Sequence, residues 1–300
     1  MSAPAPRSTL ALLAAAAVGV QVGAAIVATR FVVGQLGPAS IACVRYAIAL
    51  LSLLPFIALD AARTRIAARD LAAVMLLGVG QFGLLIALLN LGLQSVPAAP
   101  AALIFASFPL LTLLVVRAFG HEHLNAAKLL GVALSLAGVA IALGPDVLAG
   151  GALGGQLAVL GSALTGALCS VLYRPYLRRY PALPVSLWAM GGALLFLAVW
   201  SLFEDLPARA VLVTPGGWAA LAFIGLSSGI GYFLWLWALR HAPASRVTLF
   251  VAVSPLTSIA LGALWLGEAV PQRLWLALAL VSAGLAAAHV AAANTFGDRP

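Results

Sequence analysis

In a chain this apolar, the residues able to do chemistry are few. They are amides, hydroxyls and a phenol rather than acids or bases. Gln21, Gln81, Ser227, Ser228 and Tyr232 each fall well inside a long apolar stretch, and Gln81 and Ser227 stand 146 residues apart. Ser228, Tyr232 and Trp235 follow at i, i+4 and i+7, so one helix face presents hydroxyl, phenol and indole together. Such a set binds a small amphipathic ligand through hydrogen bonds and ring contact, with no proton transferred. The same residues also read as contacts between helices, worth about 0.6 kcal/mol each. Tyr232 and Trp235 read equally as an aromatic belt at a membrane interface.

Two prolines extend this set. Val96–Glu122 reads VPAAPAALIFASFPLLTLLVVRAFGHE and Ala242–Glu268 reads APASRVTLFVAVSPLTSIALGALWLGE. Pro97 matches Pro243, Pro109 matches Pro255 and Glu122 matches Glu268, all at a spacing of 146. Pro109 and Pro255 lie deep in their apolar stretches. A proline there removes one helix hydrogen bond and frees a carbonyl that protein, water or substrate must satisfy. Ser107 and Ser254 sit beside them. The alternatives are a gate hinge and a kink that only shapes the bundle. Arg45, a cation within an apolar stretch, reads either as counter-charge to a substrate carboxylate or as a hydrogen-bond hub to loop carbonyls.

The remaining chemistry is absent from these stretches. The acids, Asp60, Asp70, Glu122, Asp146, Glu204, Asp205, Glu268 and Asp298, all lie in loops, at stretch edges or at the terminus. The four histidines also avoid mid-depth. Proton-coupled carriers commonly use an intramembrane Asp, Glu or His, so the expectation is uniport. Glu122 and Glu268 are expected to tie helix ends at opposite faces. No HExxH or GxxxxGK occurs, and Cys43 and Cys169 form no CxxC. No enzyme activity, cofactor or metal is expected.

The elements that hold these residues follow from composition. Of 300 residues, 64% are hydrophobic and 8% charged, against about 25% charged in a soluble domain. The net charge of +8 sits in short loops and forms no basic patch, which argues against nucleic acid. The expected partners are the lipid bilayer and a small-molecule substrate, with the chain acting as a monomer. Ten apolar spans, at about 20 residues per crossing, fall near 9–29, 38–59, 71–93, 97–117, 126–144, 155–173, 183–203, 216–239, 243–266 and 272–293. Arg7 and the apolar run after it resemble a signal peptide, but the run is long enough to cross and the repeat needs it as a helix. With the N-terminus inside, twelve Lys and Arg lie inside and three outside, so both termini are expected in the cytoplasm.

The matched segments are parts of a larger repeat. From Pro97 to Leu143, 14 of 47 residues equal their partners 146 places on. The unit holds five spans, an odd number, so the second copy enters the membrane from the other side. The expected fold is therefore an all-α integral membrane protein: ten transmembrane helices in two inverted five-helix repeats. Residues 1–149 form the first repeat, the glycine-rich run 150–155 a linker, and 156–300 the second repeat. Inverted halves that exchange conformations provide alternating access.

The stretch HAPASRVTLFVAVSPLTSIALGALWLGEAV, its first-repeat counterpart SVPAAPAALIFASFPLLTLLVVRAFGHEHL, and CVRYAIALLSLLP around Arg45 resemble the drug/metabolite transporter superfamily, EamA type. Within it the chain resembles amino acid exporters of the YddG kind. The resemblance implies ten helices in two inverted halves and export of amino acids, aromatic ones included, or of similar metabolites, in the inner membrane. The alternatives are export of drugs or other metabolites and, from a different class, a non-transporting membrane scaffold. The expected substrate contacts are Gln21, Gln81, Ser107, Ser227, Ser228, Tyr232 and Ser254, with Pro109 and Pro255 as hinges and Arg45 as structural or counter-charge.

Overall fold

The computed structural model describes residues 6–58, 66–119, 126–144, 153–241 and 253–297, and among these there is no strand. The helices are α1 (Pro6–Val32), α2 (Pro38–Ala58), α3 (Ala68–Gly78), α4 (Leu85–Leu93), α5 (Ala98–Phe105), α6 (Phe108–Ala118) and α7 (Ala126–Leu143) in the first half. The second half holds α8 (Leu153–Leu172), α9 (Arg174–Arg179), α10 (Ala182–Leu202), α11 (Leu206–Ala210), α12 (Pro215–His241), α13 (Val253–Leu266) and α14 (Gln272–Gly297). A π turn, Val79–Leu84, joins α3 to α4 through residues that keep helical backbone angles. Prolines open several helices, as Pro38 and Pro215 do, because the first turn needs no amide donor.

Thr9–Val32, Ala68–Leu93, Ala98–Ala118, Ala126–Leu143, Leu153–Arg179 and Leu183–Leu202 are long and apolar enough to cross a membrane. Pro38–Leu53, Val253–Leu266 and Gln272–Ala287 are shorter apolar helical segments among the described residues. Leu51, Leu76, Leu195, Leu264 and Trp265 are among many large apolar side chains left exposed on the outside of the bundle, as expected where lipid is the solvent. The glycine-rich run departs from expectation. Gly154 and Gly155 belong to the first turn of α8, which begins at Leu153, so the run is not linker throughout. Residues 150–152 lie outside the described residues.

The packing carries the repeat. Gly138 on α7 lies against the Ala277 carbonyl and Val281 of α14, and Gly284 on α14 lies against the Gly131 carbonyl and Ser135 of α7. Ser135 Oγ donates to the Val281 carbonyl at 3.4 Å. The pairs 131/277, 135/281 and 138/284 each differ by the repeat spacing, so the interface is self-complementary in the manner of a two-fold contact. As numbering rises from 131 to 138 on one helix it falls from 284 to 277 on the other. The two equivalent helices therefore run antiparallel.

Several other large contacts obey the same exchange. α1 on α12 corresponds to α8 on α4, α12 on α2 to α3 on α10, and α1 on α13 to α8 on α6. The contacts α2 on α10 and α7 on α14 map onto themselves. Small residues make these approaches possible. Gly225 and Gly229 of α12 lie against Ile48, Ala49 and Ser52 of α2, and Gly23 of α1 lies against the Ser254 carbonyl of α13.

Candidate functional site

Two pairs of the polar residues named from the sequence bridge the two halves. The Gln21 amide of α1 donates to the Ser227 carbonyl of α12. Gly231, one turn further along α12, leaves room for that amide, since a Cβ there would collide with it. Arg45 Nε of α2 donates to Ser228 Oγ of α12 at 2.7 Å, and the guanidinium lies 5.8 Å from the centre of the Tyr46 ring. Arg45 is thus tied to a hydroxyl of the other half. Tyr232 shares a hydroxyl–hydroxyl hydrogen bond with Ser186 of α10 and packs on the core that contains Tyr46 and Met190. It is partly buried in that core. The Trp235 side chain lies outside the described residues.

Gln81 stands apart from this group, on the π turn. Among the described residues its buried amide oxygen finds no hydrogen-bond partner, and the same holds for the Tyr173 hydroxyl. A buried acceptor without a donor costs about 1–3 kcal/mol, so such an atom calls for water or a ligand. π turns recur at functional sites. Gly80 is pressed against Cys169 of α8, and Phe82 packs edge-on to Tyr46 with ring centres 5.3 Å apart. The turn is therefore wedged between the halves.

The proline positions refine the hinge expectation. The regular α-helical pattern is interrupted by a turn at Ala106–Ser107, between α5 and α6, and Pro109 falls in the first turn of α6 rather than in a helix interior. Phe105 and Phe108 stack across the break, 6.0 Å apart. Ser107 Oγ donates to the Ile104 carbonyl at 2.6 Å and is buried. That hydroxyl serves its own helix. Ser227 Oγ does likewise with the Ile224 carbonyl at 2.9 Å. Pro255 lies in the first described turn of α13, beside buried Ser254, whose carbonyl touches Gly23. Ser258 Oγ donates to the Gly23 carbonyl at 3.0 Å and fixes α1 on α13.

A second polar cluster closes one end of the bundle. Glu268, after α13, accepts from the Ala98 amide at the start of α5 through both oxygens, at 2.8 and 3.1 Å. Arg30, near the end of α1, pairs with Glu268 at 3.4 Å. Its Nη1 also donates to the Leu93 and Gln94 carbonyls at 2.5 and 2.9 Å. Glu204, after α10, accepts from the Ala39 and Ser40 amides and from Ser40 Oγ at the start of α2. Each carboxylate thus satisfies helix N-terminal donors that no local side chain caps. The sequence pattern had marked Glu268 as a helix tie. It had not marked Glu204 or Arg30, which repeat nowhere at the spacing of 146, nor Ser186. At the opposite end Arg179 and Tyr180 bind Asp70 at 2.6 and 2.7 Å.

A multi-pass helical bundle with internally repeated halves and a polar seam between them defines a membrane carrier scaffold. Residues 9–144 and 153–288 each match the EamA-like transporter family, and the chain belongs to that family. It is 29% identical over 243 residues to the "Probable terminal-alkyne amino-acid exporter" of Streptantibioticus cattleyicolor, covering 77% of this chain and 76% of that protein. It is 28% identical over 220 residues to "Uncharacterized transporter YdfC" of Bacillus subtilis, covering 72% and 70%. It is 29% identical over 195 residues to "Uncharacterized inner membrane transporter YedA" of Escherichia coli K12, covering 63% and 60%. A solved crystal structure shares the fold with a TM-score of 0.66 over 96% of this chain and 98% of the other, at 23% identity.

Proposed function

We propose that the chain is an inner-membrane carrier that exports amino acids or similar small metabolites by alternating access, as a uniporter. The observation that carries this reading is the two-fold exchange of contacts between two EamA copies, with α7 and α14 antiparallel at equivalent positions. It supports ten crossings in two inverted halves, the architecture in which exchanging conformations moves the opening from one face to the other. The likeness to a protein named as an amino-acid exporter supports the substrate class. The loop-charge bias supports cytoplasmic termini, which places the Arg30–Glu268 end outside.

The substrate path runs along the polar seam. Gln21, Ser228 and Tyr232 line it from opposite halves, and Gln81 offers an unpaired acceptor suited to a substrate ammonium group. Arg45 is the nearby cation for a carboxylate. Ser107, Ser227 and Ser254 shape the break and the helix contacts around the path, and Pro109 and Pro255 flank it as hinges. Among the described residues Asp70, Glu204, Asp205 and Glu268 all stand at element ends, in keeping with transport that needs no proton.

The test is uptake of a panel of labelled amino acids by purified protein in liposomes, with and without a pH gradient. The expected outcome is saturable equilibration that the gradient leaves unchanged. Uphill accumulation driven by a pH jump would refute uniport. Absence of movement for every amino acid in the panel would refute the substrate class.

A further inference from the structure

The contacts of Arg30 and Glu268 do more than finish helix ends. Arg30 holds the carbonyl end of α4, through Leu93 and Gln94, while Glu268 holds the amide end of α5 at Ala98. The pair itself joins α1 to the segment after α13. Cation on carbonyls and carboxylate on an amide are the favourable sense at both helix ends. The Glu268 side chain is 12% exposed and that of Arg30 29%, so the pair is largely withdrawn from bulk water. It borders a hollow of about 580 Å³ that opens at this end, lined also by Phe31, Val33, Leu36, Leu266 and Arg209.

What makes this arrangement mechanical is the segment it grips. α5 spans only Ala98–Phe105 and is separated from α6 by the break at Ala106–Ser107. A short helix with a break at one end pivots there and is held at the other by whatever caps it. Its cap comes from the opposite half. The contact of α5 on α13 joins the two halves, so it lies where they must part for this end to open.

We infer that Arg30 and Glu268 form a latch that keeps this end of the transport path shut, and that its release lets α5 swing about Ala106–Ser107. This rests on the carrier reading above. Glu204 makes similar bonds at the same end, but it ties α2 to α10 and does not touch the hollow. It is the internal control.

The experiment uses the full-length protein in oriented vesicles without substrate. Val33, buried at 4% exposure in the wall of the hollow, is replaced by cysteine as a reporter, and a membrane-impermeant maleimide is added from the outer face. Val33→Cys alone should label slowly. Adding Glu268→Gln or Arg30→Gln should speed labelling about tenfold, the scale set by losing one charge-assisted hydrogen bond. The two together should add little, because either one opens the same latch. Glu204→Gln should leave the rate near that of the reporter alone. Unchanged labelling in both latch variants would overturn the inference. So would an equal rise with Glu204→Gln, which would mean general loosening. Should one latch variant fail to fold, the other carries the test. Labelling needs no substrate, so failure of amino acid transport would leave this result readable, and a silent latch would leave the transport result standing.

Discussion

Gly37 and Glu204 make a sharp test of how the helix ends are held. Gly37 precedes α2, and a Cβ added there would fall inside the Glu204 carboxylate and 2.9 Å from the Glu204 Cβ. The carboxylate would have to leave the Ala39 amide at 3.1 Å, and the Ser40 amide and Ser40 Oγ, each at 2.8 Å. Bonds to a charged acceptor are worth about 1.5–3 kcal/mol each when buried. Glu204 is only half-buried, so water recovers much of that, and about 2 kcal/mol for the set is the reasonable scale. Gly37→Ala and Glu204→Ala should then each cost about 2 kcal/mol, or roughly 4–8 °C in melting temperature. In the double variant the losses should overlap. Once Glu204 is truncated, Gly37→Ala should cost less than it does alone, leaving the close approach to the remaining Cβ at 2.9 Å and the advantage of glycine over alanine at a helix cap, about 0.5–1 kcal/mol. Melting of the purified protein in detergent, run as a double-mutant cycle, reads this directly. Fully additive losses would refute the argument, since Gly37 would then act through something other than the carboxylate.

Two further expectations follow from the same reading of close contacts and breaks. A Cβ at Gly78 would strike the backbone of Ala189 on α10, whereas one at Gly191 meets nothing within 4 Å. Gly78→Ala should therefore sharply reduce folded yield while Gly191→Ala leaves it intact, as size-exclusion chromatography would show. Pro109→Ala and Pro255→Ala should slow transport in liposomes several-fold while membrane insertion stays near normal. Equal loss of insertion and transport would assign both prolines to folding alone.

The helices were legible in the sequence because lipid makes the rule simple: twenty apolar residues, short charged loops, prolines at the starts. The family was legible because a proline, a glutamate and a glycine recur at one spacing. What the sequence left open are the contacts made in space rather than along the chain. Glu204 is an ordinary loop acid until α10 brings it to the start of α2. Arg45 reads as counter-charge or loop hub until α12 places Ser228 beside it. Ser107 looked like a free hydroxyl, but a serine at a helix break bonds back to its own carbonyls before it offers itself to a ligand.

The repeat itself explains why one polar seam is asymmetric. The positions equivalent to the π turn Val79–Leu84 are Gly225–Ile230, and these run as unbroken α-helix in α12. The two halves share a packing scheme, yet one carries a wide turn and an unpaired amide where the other carries two serines bonded to their own helix. The alternating access proposed above calls for that combination. Shared packing would let either half adopt either shape at similar energy, and unlike polar groups along the seam would let a small asymmetric ligand bind in one orientation while the shapes exchange. Perfect identity would make the two states equal but the site featureless. Complete divergence would fix one state. The chain keeps the repeat in its glycine contacts, Gly138 with Gly284 above all, and varies it at Gln81, Ser227 and Ser228, where a ligand would be read.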